Sequence, residues 1–100
     1  MFINQSQNDA TVKFDVEGRL DTTTAPQLEE AVKQGAKNKK TMIMDLSKVE
    51  YVSSSGLRVI LLAHKIMAAT KGKLIIQHPS EFCMQVFIAT GMDSILSISV

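Results

Sequence analysis

The stretch MIMDLSKVEYVSSSGLRVILLAHKIMAAT, residues 42–70, joins two patterns of different period through a run of serines. It opens on Met42-Ile43-Met44-Asp45-Leu46, a short apolar run without clean alternation, which predicts a strand covered on both faces. It closes on Leu57 to about Thr70, where Val59, Leu62, Ile66 and Ala69 recur at helical spacing and Leu57, Ile60 and Leu61 widen the stripe. Between them lies Ser53-Ser54-Ser55-Gly56. Hydroxyls at a helix start accept from N–H groups that no carbonyl of the helix can satisfy, so Ser53 or Ser54 is the expected N-cap. Ser55 then falls in the first turn with its hydroxyl to spare. Gly56, lacking a Cβ, is expected to let the backbone of a partner approach closely.

Working outward, Lys71-Gly72-Lys73 ends this helix, and Leu74-Ile75-Ile76 reads as another buried strand. Pro79-Ser80 opens a third helix, with Phe82, Val86 and Ala89 on one face and Gly91 closing it; Ile95, Leu96 and Ile98 suggest a last short strand. On the N-terminal side, Thr24-Ala25-Pro26-Gln27 fits a capping box with Thr24 as N-cap. Leu28, Ala31, Val32 and Ala36 follow at helical spacing, predicting a helix over about 25–37. Before it, Val12, Phe14, Val16 and Leu20 alternate with Lys13, Asp15, Glu17 and Arg19, the pattern of a half-buried strand in an antiparallel pairing. Phe2 to Gln5 reads as a short edge strand, and Ser6-Gln7-Asn8-Asp9 as a turn. The order is β-β-α-β-α-β-α-β. Right-handed crossovers make the later strands parallel, so the fold class is α/β: a mixed sheet packed by helices, one domain over residues 1–100.

Composition narrows the function. Eleven basic residues against ten acidic ones leave a net charge of +1, which gives no field to attract nucleic acid or an anionic membrane. Lys37-Asn38-Lys39-Lys40 is the one basic run and reads as a solvated helix C-terminus. Cys83 is the only cysteine, so no internal disulfide forms, and a reducing, cytoplasmic location is expected. Met1-Phe2-Ile3-Asn4-Gln5 does not read as a signal peptide.

The chemistry-bearing residues are few. His64 and His78 are not spaced as metal ligands, and Cys83 adds no pair, so no metal or cofactor is expected. Ser53 occupies the place where a nucleophile elbow needs its first glycine, and no base is spaced to activate Ser55. Cys83 and the methionines, Met42, Met44 and Met67 among them, read as packing residues. An enzyme is not expected.

Three separated motifs then agree with the element order. Gly18-Arg19-Leu20-Asp21 precedes a capped helix, a strand ends in Asp45-Leu46-Ser47, and Tyr51-Val52-Ser53-Ser54-Ser55-Gly56-Leu57 follows. Together they resemble the STAS domain of bacterial anti-sigma factor antagonists, over about residues 3 to 98. The resemblance implies a STAS-like sheet and a non-enzymatic switch. The unphosphorylated protein would bind an anti-sigma factor that is a serine kinase, phosphorylation of the serine before the glycine would release it, and a serine phosphatase would reverse the modification. By position that acceptor is Ser55, with Ser54 a second candidate. Asp21 corresponds to the family aspartate beside the acceptor loop. Asp21, Thr22, Thr23, Ser53, Ser54, Gly56, Leu57 and Arg58 are therefore expected at the partner contact, and the free protein is expected to be a monomer. Ser53 stands where many phosphorylated members carry an aspartate. That difference keeps open a second function within the same fold, a STAS subunit of a transport or signalling complex that is not phosphorylated.

Overall fold

A computed structural model describes residues 1–100. Its elements run β1 (Phe2–Gln7), β2 (Thr11–Leu20), α1 (Ala25–Gly35), β3 (Thr41–Val52), α2 (Ser54–Ala69), β4 (Lys73–Gln77), α3 (Glu81–Thr90), a 3-10 turn (Met92–Ser94) and β5 (Ser97–Ser99). The five strands lie in the order β1-β2-β3-β4-β5, so each neighbour in the sheet is the neighbour in sequence. β1 pairs antiparallel to β2, and every later pairing is parallel. The alternating strand β2 thus has one antiparallel and one parallel partner.

Right-handed crossovers that always step the same way place all three helices on one face of the sheet. Burial follows that geometry. Val12, Phe14 and Val16 of β2, Met42, Met44 and Leu46 of β3, and Leu74 and Ile76 of β4 form the inner layer. Leu28 and Val32 from α1, Val59, Ile60, Ala63 and Met67 from α2, and Cys83 and Phe87 from α3 complete the core. Lys13, Ile43, Asp45, Ile75 and Gln77 point to the other, open face and are only half-buried. β3 therefore does alternate. The expectation of a strand covered on both faces fails because Ile43 sits on the uncovered side, where its neighbours are Lys13 and Ile75.

Other boundaries shift for physical reasons. β1 runs through Gln7, so the first turn begins only at Asn8, whose Oδ1 accepts from the N–H groups of Ala10 and Thr11. α1 ends at Gly35, earlier than residue 37. β3 continues past Leu46 to Val52, although its pairing with β4 stops at Asp45. The unpaired edge beyond is met by the start of α3, where the Ser80 N–H donates to the Leu46 carbonyl and Ser80 Oγ to the Val49 carbonyl. α2 starts at Ser54, and its buried line is Gly56, Val59, Ile60, Ala63 and Met67; Leu62 and Ile66 are half-buried, and Ala69 is exposed. In α3 the buried face holds Cys83 and Phe87, displacing the expected Phe82, Val86 and Ala89 by one position.

Candidate functional site

The C-terminal ends of β2 and β3 lie side by side, Leu20 opposite Val52, and the two chain segments that leave them form the site. β2 reaches this point through two register shifts, between Asp15 and Glu17 and between Gly18 and Arg19. Gly18 accommodates the irregularity at φ 105, a conformation that residues with a Cβ rarely adopt.

The first segment is the turn Asp21-Thr22-Thr23-Thr24. Its organiser is Asp21, whose Oδ1 accepts from the N–H groups of Thr23 at 3.0 Å and Thr24 at 3.2 Å. The expected capping box is absent: the Thr24 side chain makes no cap bond to α1. Instead Thr24 Oγ1 accepts from the Asp21 N–H at 2.9 Å and donates to the Arg19 carbonyl at 2.8 Å. The carboxylate holds the N–H groups inside the turn, and the threonine hydroxyl ties the turn back to β2. The hydrogen bond from the Thr24 N–H is the largest influence on the Asp21 carboxyl, holding it below the ordinary aspartate range against a smaller opposing effect of desolvation. Arg19 lies 3.7 Å from Asp21 Oδ2. An exposed pair of this kind contributes little, so the backbone hydrogen bonds are what fix the turn. Arg19 also covers the Tyr51 ring at 4.3 Å, and Tyr51 meets Phe82 with centroids 5.4 Å apart.

The second segment is Ser53-Ser54-Ser55-Gly56. Ser53 is the N-cap of α2, in extended conformation, with its Oγ accepting from the Gly56 N–H at 3.3 Å. Its own N–H donates to the Leu20 carbonyl at 2.9 Å, anchoring the helix start to the end of β2. Gly56 is buried in the same contact: a Cβ there would stand 2.7 Å from Leu20 Cγ and 2.8 Å from the Leu20 carbonyl oxygen. The close approach that the glycine permits is therefore to this chain's own strand, and the expectation that it opens the site to a partner's backbone is corrected. Ser54 is exposed, and Ser55 is half-buried.

The two segments meet through hydroxyls. Ser55 Oγ lies 3.1 Å from Thr22 Oγ1, within hydrogen-bond distance, across 33 positions of sequence. Of the other residues expected at a contact, Thr22, Thr23 and Arg58 are exposed, while Leu57 is half-buried against the core. Asp21 is half-buried with one carboxylate oxygen committed to its own turn. Sequence reading missed the groove that begins at this point. Between α1 and α2, Ala25, Pro26, Val59, Leu61 and Leu62 wall a cleft of about 420 Å³ whose rim carries Thr22, Ser55, Glu29, Arg58 and Lys65. Pro26, an apolar residue away from the stripe of its helix, was the available signal.

Elsewhere the structure holds little chemistry. Cys83 is buried, which pushes its thiol upward in pKa despite hydrogen bonds involving Ser80. No group of three or more His, Cys, Asp or Glu is placed to hold a metal ion. No helix is long and apolar enough to cross a membrane.

Comparison with known proteins agrees with this architecture. The STAS domain family model matches residues 3–99. A protein of Bordetella bronchiseptica named as a candidate anti-sigma factor antagonist is 32% identical over 85 residues, which cover 84% of this chain and 73% of that protein. The anti-sigma-B factor antagonist of Bacillus subtilis is 28% identical over 97 residues, covering 97% of this chain and 89% of the relative. Among solved structures, the anti-sigma factor antagonist SpoIIAA in its unphosphorylated form superposes with a TM-score of 0.85 at 20% identity, over 99% of this chain and 89% of that one. The structure of the Bacillus cell fate determinant SpoIIAA in the phosphorylated form gives a TM-score of 0.78 at 20% identity, over 99% and 92%. With the sheet order, the paired loops and the family match in agreement, the chain belongs to the STAS domain family, together with relatives named anti-sigma factor antagonists.

Proposed function

We propose that this chain is an anti-sigma factor antagonist acting as a phosphorylation-controlled binding switch rather than as a catalyst. In its unphosphorylated state it binds an anti-sigma factor that is a serine kinase, through the surface around Ser55, Thr22, Thr23, Ser54 and Arg58. Phosphorylation of Ser55 releases it, a serine phosphatase restores it, and the outcome is control of transcription by the sigma factor concerned. It works in the cytoplasm, as a monomer when free.

The observation that carries this reading is the position of Ser55. Its hydroxyl sits in the first turn of a 16-residue helix, paired only with another hydroxyl, at the mouth of the α1–α2 groove. A phosphoryl group there would add about −1.5 to −2 charges. The fold would tolerate it, because the positive end of the helix dipole favours an anion by roughly 0.3–1 kcal/mol. The larger effect falls on a partner covering the turn, since desolvating the dianion or opposing it with like charge costs several kcal/mol. About 3 kcal/mol is roughly a hundredfold in affinity. The relatives named anti-sigma factor antagonists, and the phosphorylated state of a protein with the same fold, support the same reading.

The test starts with the protein isolated from its own cells. Intact mass is expected to reveal one added phosphate, mapped to Ser55 and lost in Ser55→Ala. The kinase that co-purifies with the parent chain is expected to bind Ser55→Asp at least tenfold more weakly. Equal binding of Ser55→Asp and parent overturns the release model and identifies instead a STAS subunit that assembles without a phosphorylation switch.

A further inference from the structure

The hydroxyl proposed as acceptor has two polar neighbours on different elements. Thr22 Oγ1 stands 3.1 Å from Ser55 Oγ. Arg58 follows Ser55 by three positions on α2, the spacing at which helical side chains meet, and lines the same groove mouth as Ser55 and Thr22. Arg58 is exposed, and none of the ion pairs of the molecule includes it. The one carboxylate lining the groove, Glu29, is engaged by Lys33 Nζ at 2.9 Å. The groove's other cation, Lys65, lies ten residues beyond Ser55 on α2, roughly 15 Å along the axis.

We propose that Thr22 and Arg58 form an internal receiver for the phosphoryl group of phosphorylated Ser55, so that modification turns a partner-facing cation inward. The inference rests on the reading of Ser55 as phosphoacceptor and names two residues of this chain that act on the product. In the modification, a bond forms from Ser55 Oγ to the γ-phosphorus of ATP, the bond to the ADP oxygen breaks, and the hydroxyl proton passes to a base of the kinase. Ser55 Oγ then has no proton to share. Thr22 becomes the obligatory donor, to Oγ or to a phosphoryl oxygen, from within the turn that Asp21 organises through Thr23 and Thr24. Arg58 offers a planar pair of N–H donors suited to two phosphoryl oxygens at once. The groove mouth changes from one positive charge at Arg58 to a net of about one negative charge. A partner that bound Arg58 loses that contact and meets an anion held in place of it.

The experiment needs no kinase. Phosphoserine is installed at position 55 during synthesis, and the second ionisation of the phosphate is followed by phosphorus NMR against pH. The charged groups near it are Arg58 and Lys65 of α2, Glu29 of α1, and Asp21 of the turn. In the phosphorylated parent the phosphate is expected to ionise below the ordinary value of about 6. Arg58→Gln is expected to raise that midpoint by about half a unit or more, and Thr22→Val by a smaller step that Thr22→Ser restores. Amide spectra of each variant that overlay the parent away from the site establish that the fold is kept. No shift in Arg58→Gln overturns the arginine's role, and no shift in Thr22→Val overturns the threonine's. Failure of the release model would appear elsewhere, as a Ser55→Asp chain that holds its kinase as tightly as the parent, so the two failures are distinguishable.

Discussion

The starts of α2 and α3 are built to one plan and finished differently. Each follows a strand, each is capped by a serine in extended conformation, and each buries the third helical residue, Gly56 in one and Cys83 in the other. Ser80 spends its hydroxyl twice, accepting from the Cys83 N–H at 3.2 Å and donating to the Val49 carbonyl at 2.6 Å. The second helical residue of α3 is Phe82, whose ring packs at a tilt against Tyr51. At α2 the cap accepts a single bond, and the second helical residue is Ser55, whose hydroxyl meets only Thr22. A ring at that position closes the helix start by packing. A hydroxyl leaves it open to chemistry while the third residue secures the helix from beneath.

The difference between the two helix starts depends most on Gly56. Gly56→Ala would drive a Cβ against the Leu20 carbonyl, a backbone atom that cannot swing aside. It is expected to cost about 2–3 kcal/mol. For a domain of this size that lowers the melting temperature by roughly 8–24 °C in calorimetry. A melting temperature within two or three degrees of the parent would mean that α2 is not held by this contact. The caps come next. Ser80→Ala removes the cap and a donor to a buried carbonyl, and is expected to cost about 1–2 kcal/mol in urea unfolding. Ser53→Ala should cost only about 0.5–1 kcal/mol; equal losses would erase the distinction between a sealed and an open start.

The smallest effect concerns the turn facing α2. Because hydrogen bonds hold the Asp21 carboxyl below its reference value of 3.8, the stabilisation it gives is present above that pH and lost as pH falls through the lower, folded value. Asp21→Asn should therefore be less stable than the parent near neutrality and converge with it in acid. A constant gap from neutrality down through that range would show that ionisation of Asp21 does not act on the turn.

Much of this was legible in the residues. The alternation of Val12 to Leu20, the hydroxyls before Gly56 and the glycine after the third helix mark elements through local chemistry, and local chemistry is what a sequence displays. The face of α3 was not legible, since Phe82, Cys83, Met84, Val86, Phe87 and Ile88 are apolar nearly all round, and only docking against β3 selects among them. Thr24 looked like a cap because the pattern cannot show that its hydroxyl is spent on the Asp21 N–H and the Arg19 carbonyl. Gly56 looked accessible because its neighbour, Leu20, is 36 positions away in the chain. The Thr22–Ser55 pair and the groove share that origin. They exist only once β2 and β3 lie side by side.

The consecutive strand order has a consequence for how the protein is made. As the chain leaves the ribosome, each new strand adds beside the one synthesised just before it, and none has to thread between two already in place. Both loops of the candidate site, and the helices between which its groove runs, have been synthesised by Ala69, before β4 begins. The later strands then add on the far side of β3, away from the pair that Thr22 and Ser55 make.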